Sequence, residues 1–278
     1  MRTSIINNSG KEFKSNTQEK QIKRDNSSNS QGQLSIVGIG PGNLEHMTPK
    51  ARQAIEEADV VVGYGMYIKL VQTITGKHAE IISGTMGREV ERAKIAVKKA
   101  NENHKVVMIS SGDPGVYGMA GIVLEVAAQE KTQVPIEIIP GITAASSASA
   151  ILGAPLISDF AVISLSDLLT PLEKIEKRIE LASQADMSIV LYNPQSQDRI
   201  EPLIKAYEIM IKHINPDTPV GIVKQAGRDG QKAKITTLKN LLNEEIDMLT
   251  TIVIGNSATK IINNKMVTQR GYNLTNHY

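Results

Sequence analysis

The stretch Leu34-Ser35-Ile36-Val37-Gly38-Ile39-Gly40-Pro41-Gly42 decides how this chain is read. It opens as a short apolar strand and ends as a glycine loop. Downstream, Thr48-Pro49 sets a threonine N-cap before a proline at the first helical position, and the helix expected there carries Ala51, Ala54, Ile55 and Ala58. Strand, glycine loop and helix in that order begin an α/β unit. The loop invites a dinucleotide-binding reading, which its details weaken. The fingerprint G-x-G-x-x-G needs glycine at position 43, where Asn43 stands, and Pro41 lacks the amide that a pyrophosphate would use. The helix starts too late to cradle a phosphate, and Asp59 precedes the second strand instead of ending it. A nicotinamide-binding oxidoreductase is therefore the weaker alternative, and a plain strand-to-helix turn satisfies this motif equally well.

Outward from that stretch the alternation continues. Apolar runs predict strands at 60–63, 106–109 and 136–139, an amphipathic helix over 88–101 and a small-residue helix over 143–152. Gly153-Ala154-Pro155 interrupts the pattern. After it, strands are expected at 161–165, 188–192, 220–224, 233–237 and 251–254, and Thr170-Pro171 repeats the cap-then-proline helix start. β-branched strands alternating with helices predict an α/β fold of two α/β domains with mainly parallel sheets covered on both faces. The N-terminal domain is expected over 33–153 and the C-terminal domain over 154–278. Residues 1–32, rich in Asn, Ser, Gln and Lys, carry too little apolar surface to offset the entropy of ordering, so a disordered leader is expected there.

Composition narrows function by exclusion. The 278 residues contain no cysteine, which removes disulfides, thiolate metal sites and cysteine nucleophiles. The histidines His46, His78, His104, His213 and His277 never stand three or four residues apart, so no protein-bound metal is expected. A net charge of +2 and 3% aromatics, with no Trp, argue against a nucleic-acid partner. No apolar run reaches the roughly 18–20 residues of a membrane span. The N-terminus lacks the apolar core of a signal peptide, so no membrane partner and a cytoplasmic address are expected. The methionines are expected as core filler, with Met86 and Met119 set to face a flat ligand.

Further loops stand at the ends of the expected strands, where open α/β sheets build their sites. In Ser111-Gly112-Asp113-Pro114-Gly115-Val116-Tyr117-Gly118 the glycines permit close backbone approach and Asp113 could accept from a ribose, although an Asp-Pro turn accounts for the same residues. Pro140-Gly141-Ile142-Thr143-Ala144-Ala145 offers a hydroxyl and small residues against which an adenosine could lie, and Thr143 would also cap the next helix. Asn193, in Leu191-Tyr192-Asn193-Pro194, has a donor and an acceptor for an adenine edge. Gln225-Ala226-Gly227-Arg228 again permits close approach, and Thr250-Thr251 places hydroxyls at the start of a strand.

Taken in order, Val37-Gly38-Ile39-Gly40-Pro41-Gly42, Gly112-Asp113-Pro114, Ile142-Thr143-Ala144-Ala145, Tyr192-Asn193-Pro194 and residues 225–228 resemble the tetrapyrrole methylase family, over roughly residues 34–274. Residues 83–93, 110–120 and, most distinctively, Ser164-Leu165-Ser166-Asp167-Leu168-Leu169-Thr170-Pro171 look most like its precorrin-3B C17-methyltransferase group, with the cobalt-precorrin-3 and cobalt-factor III relatives. Thr85 is an extra residue against that group's pattern. The resemblance implies the class III methyltransferase architecture, with S-adenosylmethionine in an inter-domain cleft, and a homodimer. It also implies methylation of C17 coupled to ring contraction through an acetate-derived lactone, any cobalt arriving with the substrate. By the same resemblance, Pro41, Gly112, Asp113, Val116, Tyr117, Thr143, Ala144, Tyr192, Asn193, Ala226 and Gly227 would line the cofactor pocket, the Tyr192-Asn193 loop closing over the folded cofactor. Same-fold enzymes acting on another precorrin carbon, a protein or RNA are the alternatives.

Methyl transfer from a sulfonium leaves a neutral sulfur, so positioning is expected to outweigh acid–base chemistry. A macrocycle ringed with acetates and propionates asks for cations, arginine above all. Arg88, Arg92, Lys224 and Arg228 are the candidates, with Ser111, Ser164, Ser166 and Asp167 as polar neighbours of the macrocycle. Arg92 is expected on a solvated helix face with Glu89, His46 stands near the first loop, and no catalytic base is assigned.

Overall fold

In a computed structural model of the chain, residues 31–196 and 199–272 are described. The leader expected over 1–32 thus lies, apart from Gln31 and Gly32, outside the described residues. The first sheet grows from the apolar runs. β1 (Gln33–Gly38), β2 (Val60–Tyr64), β3 (Glu80–Gly84), β4 (Lys105–Ser110) and β5 (Ile136–Ile139) pair in the order β3-β2-β4-β1-β5, every pair parallel. Parallel neighbours need crossovers, supplied by α1 (Pro49–Glu56), α2 (Gly65–Val71), α3 (Glu89–Asn101) and α4 (Ala120–Gln129). The expected cap of α1 is present, Thr48 Oγ1 accepting from Ala51 N–H at 3.2 Å with Pro49 behind it. Strand side chains alternate between faces. Leu34, Ile36, Val60, Val62, Val106 and Met108 pack under α3 and α4, whereas Val37, Val61, Val107 and Ile109 pack under α1 and α2. β3, α2 and α4 are additional to the elements expected from sequence.

α5 (Ala144–Leu152) leads into a short strand, β6 (Gly153–Ala154). The second sheet follows, from β7 (Phe160–Ser164), β8 (Ser188–Tyr192), β9 (Pro219–Lys224), β10 (Lys232–Thr237) and β11 (Thr250–Ile254), ordered β10-β9-β11-β8-β7. α6 (Leu172–Gln184) joins the parallel pair β7–β8. α7 (Glu201–His213) joins β8 to β9, which run the same way, but β11 lies between them antiparallel to both, and β10 is antiparallel to β9. Mainly parallel pairing therefore holds in the first sheet, and the second keeps it only at β7–β8. The reason is the connections. A loop joins β9 to β10 and a 3-10 segment, Leu238–Asn243, lies between β10 and β11, and neither is the helix that a parallel crossover uses.

α6 and α7 cover one face of this sheet, Ile175, Ile179, Leu203 and Met210 packing on Ile189, Leu191, Ile252 and Ile254. The N-cap of α6 is Pro171 with no side-chain capping bond, one residue later than the threonine cap expected. α5 covers the other face through Ala145, Ala148 and Leu152. Gly221 makes room for it, since a Cβ there would lie 2.3 Å from Leu152 Cδ1. Burying such a leucine contributes about 2 kcal/mol. β12 (Thr259–Ile262) and β13 (Lys265–Thr268) form a hairpin that pairs with β6, turned by Asn263 and Asn264 at φ 50° and 61°. Among the described residues no helix is long and apolar enough to cross a membrane.

Candidate cofactor and substrate cleft

The strands of the first sheet all end on one side, and there the loops after β1, β4 and β5 are knitted together. Gly40 N–H donates to Gly112 C=O at 3.1 Å, and Gly112 N–H to Gly40 C=O at 2.9 Å. Both residues sit at left-handed φ, 71° and 63°, which glycine adopts without steric penalty. The third loop comes closer still: a Cβ on Gly141 would lie 2.2 Å from Gly112 O. Asp113 braces the arrangement, Oδ1 accepting from Gly115 N–H at 2.8 Å and Oδ2 from Gly141 N–H at 3.0 Å. Each carboxylate oxygen retains a further lone pair for a ligand, so the turn and the ligand-facing readings of Asp113 are compatible.

The second sheet adds the ends of β8 and β9 and, because β11 is antiparallel, the start of β11. Tyr192, at the end of β8, is buried; its hydroxyl is 2.6 Å from Thr143 Oγ1 and accepts Ala145 N–H at 2.6 Å. Thr143 occupies the N-cap position of α5, yet its side chain makes no capping bond. The expected threonine cap is thus replaced by the tyrosine hydroxyl, which reaches the first turn from another strand. Burial pushes the Tyr192 hydroxyl above its ordinary pKa, outweighing the bonds to Thr143 and Ala145.

Two side chains cross between the sheets. Tyr117, at φ 53°, donates its hydroxyl to Val162 C=O at 3.0 Å and accepts Ser164 N–H at 3.2 Å, occupying groups of the edge strand β7. Arg228 crosses in the opposite sense. Its Nε donates to Pro41 C=O at 2.8 Å and Nη2 to Ser111 Oγ at 3.1 Å, and the guanidinium lies 5.7 Å from the centre of the Tyr67 ring. It passes over Gly42, where a Cβ would lie 2.4 Å from Arg228 Cγ.

These loops enclose part of a half-open cleft, about 190 Å³. Pro41, Ser111, Gly112, Asp113, Val116 and Tyr117 line it from one side. Thr143 and Ala144 line it from the start of α5, and Tyr192, Asn193, Ala226 and Arg228 from the second sheet. Gly227 stands behind Pro41, where a Cβ would be 2.8 Å from Pro41 Cγ. The other expected substrate residues are placed elsewhere. Lys224 is bound to Asp247, whose hydrogen bond raises the lysine pKa. Arg88 is exposed and pairs with Glu91 at 3.0 Å. Ser166 N–H donates to Ser164 Oγ at 3.2 Å, and Asp167 lies 3.9 Å from Arg199 Nε.

Arg92, expected in solvent, is 5% exposed and donates to Thr85 C=O and Glu89, because its stem lies against Gly84 and lets the guanidinium close the Thr85 turn. Met86 is exposed and Met119 packs on the core of the first sheet, and neither they nor His46 stand in the lining of the cleft. Tyr67, Met248 and Leu249 do line it, although no motif singled them out. Tyr67 follows the end of β2, and that position was the available signal.

Known proteins share this architecture. Residues 33–242 match the family described as Tetrapyrrole (Corrin/Porphyrin) Methylases. A "Cobalt-factor III methyltransferase" of Priestia megaterium is 49% identical over 87% of this chain, which spans 45% of that relative's length. A "Probable cobalt-factor III C(17)-methyltransferase" of Salmonella typhimurium is 46% identical over 87% of this chain and 100% of the relative. The crystal structure of the methyltransferase CobJ, 33% identical, superposes with a TM-score of 0.82 and covers 86% of this chain and 100% of that one. The chain belongs to the tetrapyrrole (corrin/porphyrin) methylase family.

Proposed function

We propose that the chain is an S-adenosylmethionine-dependent methyltransferase that methylates C17 of a precorrin-3-type tetrapyrrole, cobalt-factor III or cobalt-precorrin-3, with coupled ring contraction, in cobalamin synthesis. The observation that carries this reading is the convergence of Asp113, Thr143, Tyr192, Asn193 and Ala226 on one cleft. The 46% identity to a probable cobalt-factor III C(17)-methyltransferase along that relative's whole length supports it. A homodimer and a cytoplasmic location belong to the same proposal and rest on the family resemblance.

The lining suits the cofactor chemically. Gly112, Ala144 and Ala226 leave room for a flat ligand against backbone, Gly112 being held at a left-handed φ of 63°. Asp113 would take ribose hydroxyls. Asn193 Nδ2 donates to Ser164 Oγ at 2.9 Å, which leaves its side-chain oxygen to accept from an exocyclic amine. When bound, the cofactor supplies an electrophilic methyl group on a sulfonium. The chain's part is then to orient donor and acceptor, an effect of about 7–11 kcal/mol where alignment is good. The enclosed volume of about 190 Å³ is below the roughly 300–1,000 Å³ of ordinary ligand pockets. The macrocycle therefore belongs in the open part of the cleft, with Arg228 near its carboxylates.

Incubation with cobalt-factor III or cobalt-precorrin-3 and methyl-labelled S-adenosylmethionine under reducing conditions is expected to label C17. A macrocycle that stays unlabelled defeats the substrate assignment. Calorimetric binding of NAD, with none of S-adenosylhomocysteine, defeats the cofactor assignment.

A further inference from the structure

Arg199 lies just outside the lining of the cleft, and its surroundings give it a task. Ser196 N–H donates to Arg199 C=O at 3.0 Å and Arg199 N–H to Ser196 C=O at 3.3 Å, which fixes the Arg199 backbone close to Asn193-Pro194. That side chain is 16% exposed. Nη1 donates to Leu165 C=O at 2.6 Å and Nη2 to Asn193 C=O at 2.8 Å, with Met248 Sδ 3.6 Å away. Nε faces Asp167 Oδ1 at 3.9 Å. One planar fork thus touches three segments: the loop leaving β7, the turn leaving β8 and the approach to β11.

Asn193 and Met248 line the cleft. The loop leaving β7 starts at Ser164, whose Oγ accepts from Asn193, and carries Leu168 and Leu169, which are 84% and 99% exposed. Asn193 sits at φ 50°, a left-handed value that asparagine adopts more readily than other non-glycine residues and that hydrogen bonds can hold as restraints. The bond from Arg199 to its carbonyl and the bond from its Nδ2 to Ser164 Oγ are those restraints. An ammonium could not serve two carbonyls in this planar geometry as a guanidinium does.

We propose that Arg199 is a positioning residue. It holds Asn193 in its cofactor-facing conformation and joins that turn to the loop bearing Leu168 and Leu169, so that the cofactor loop and an apolar lip on the substrate side act as one piece. The inference rests on S-adenosylmethionine binding in the cleft, and its test separates the two ideas. Full-length wild type, Arg199→Ala and Arg199→Lys are titrated with S-adenosylhomocysteine by calorimetry, beside circular dichroism and steady-state kinetics.

Wild type is expected to bind, and Arg199→Ala to bind about tenfold or more weakly, as for loss of a charge-assisted hydrogen bond, with unchanged circular dichroism. Ethylguanidinium added to Arg199→Ala is expected to restore binding, which a general loss of structure would not allow. Arg199→Lys should bind more weakly than wild type and show a raised KM for both cofactor and tetrapyrrole. Wild-type affinity in Arg199→Ala, or no recovery with ethylguanidinium, overturns the proposal, and a KM raised for the cofactor alone overturns the coupling to the lip. If Arg199→Ala does not fold, Arg199→Lys with wild-type affinity and KM values overturns it equally. Failure of the wild type to bind S-adenosylhomocysteine defeats the cofactor reading instead.

Discussion

The two sheets wall one cleft by different means. The first is wholly parallel and brings three loops to one side, where Gly40, Gly112 and Gly141 interlock through their backbones. The second pairs its strands largely antiparallel and contributes long side chains: Tyr192 onto α5, Arg228 across to Pro41, Arg199 onto the turn at Asn193. A wall made of backbone tolerates almost no added atom, whereas a wall made of side chains loses one bond at a time. The contrast sets the order of the mutational effects to be expected.

Gly141→Ala should be the most damaging change. Its Cβ would lie 2.2 Å from Gly112 O, an atom already engaged by Gly40 N–H, and 2.8 Å from Gly38 C, so neither neighbour can yield cheaply. A loss of about 3 kcal/mol or more is expected in chemical denaturation. Gly121→Ala is the matched control, in α4 with nothing within 4 Å of the added Cβ, and it should leave stability unchanged or raise it by up to about 1 kcal/mol. Similar losses for the two would break the distinction between the walls.

Tyr192→Phe tests the side-chain wall. The ring stays, 5.8 Å from the Tyr117 ring, but Ala145 N–H and Thr143 Oγ1 lose their shared partner. Removing one member of a buried pair and leaving a donor unsatisfied costs about 1–2 kcal/mol. The denaturant midpoint should fall with unchanged slope. A neutral Tyr192→Phe would falsify the tyrosine cap on α5.

The same contrast explains what could be read from sequence. β4 and β8 stand where their apolar runs predict, because those strands lie inside their sheets, where both faces need continuous apolar residues. β3 escaped because Glu80-Ile81-Ile82-Ser83-Gly84 holds only two apolar residues, whereas β5, an edge strand too, shows three isoleucines in four positions. α2 escaped because it leaves β2 directly, with Tyr64 as an N-cap that makes no side-chain capping bond. In the cleft, the glycine loops were legible because close backbone approach admits few other residues. Arg199 was not, since its partner Leu165 is distant in sequence. Thr250 and Thr251 line the cleft only because β11 runs antiparallel, a direction that the absence of a crossover helix before it allows and sequence periodicity does not encode.

Arg228→Met should have a smaller effect on stability, about 1 kcal/mol for a partly exposed pair of hydrogen bonds, because Pro41 C=O and Ser111 Oγ can both turn to water. Its effect on turnover should exceed that. Tyr67, Pro41 and Ser111 on one wall are held to the other through this guanidinium, and a slackened cleft is expected to lower kcat/KM about tenfold or more. A kinetic loss no greater than the stability loss would mean that Arg228 joins the walls without shaping the cleft.

The smallest expected effect is a pH dependence at the start of β11. Asp247 Oδ1 accepts from Leu249 N–H and Thr250 Oγ1, both at 2.9 Å, and the other oxygen meets Lys224. Burial pushes the Asp247 carboxyl up, but the bonds from Lys224, Thr250 and Leu249 together prevail and hold it below its ordinary pKa. A depressed carboxyl stabilises the fold above its unfolded-state pKa, and that contribution disappears as pH falls through the lower folded value. Lys224 is shifted the opposite way, upward by the Asp247 bond, so its share is complete below the ordinary lysine pKa and disappears only as pH rises through the higher folded value. The thermal midpoint of wild type should therefore exceed that of Asp247→Asn at neutral pH, and the gap should close in acid and, separately, in strong alkali. A gap that persists unchanged into acid would show that the hydrogen bonds to Leu249 and Thr250, which asparagine keeps in part, position β11 without help from the charge.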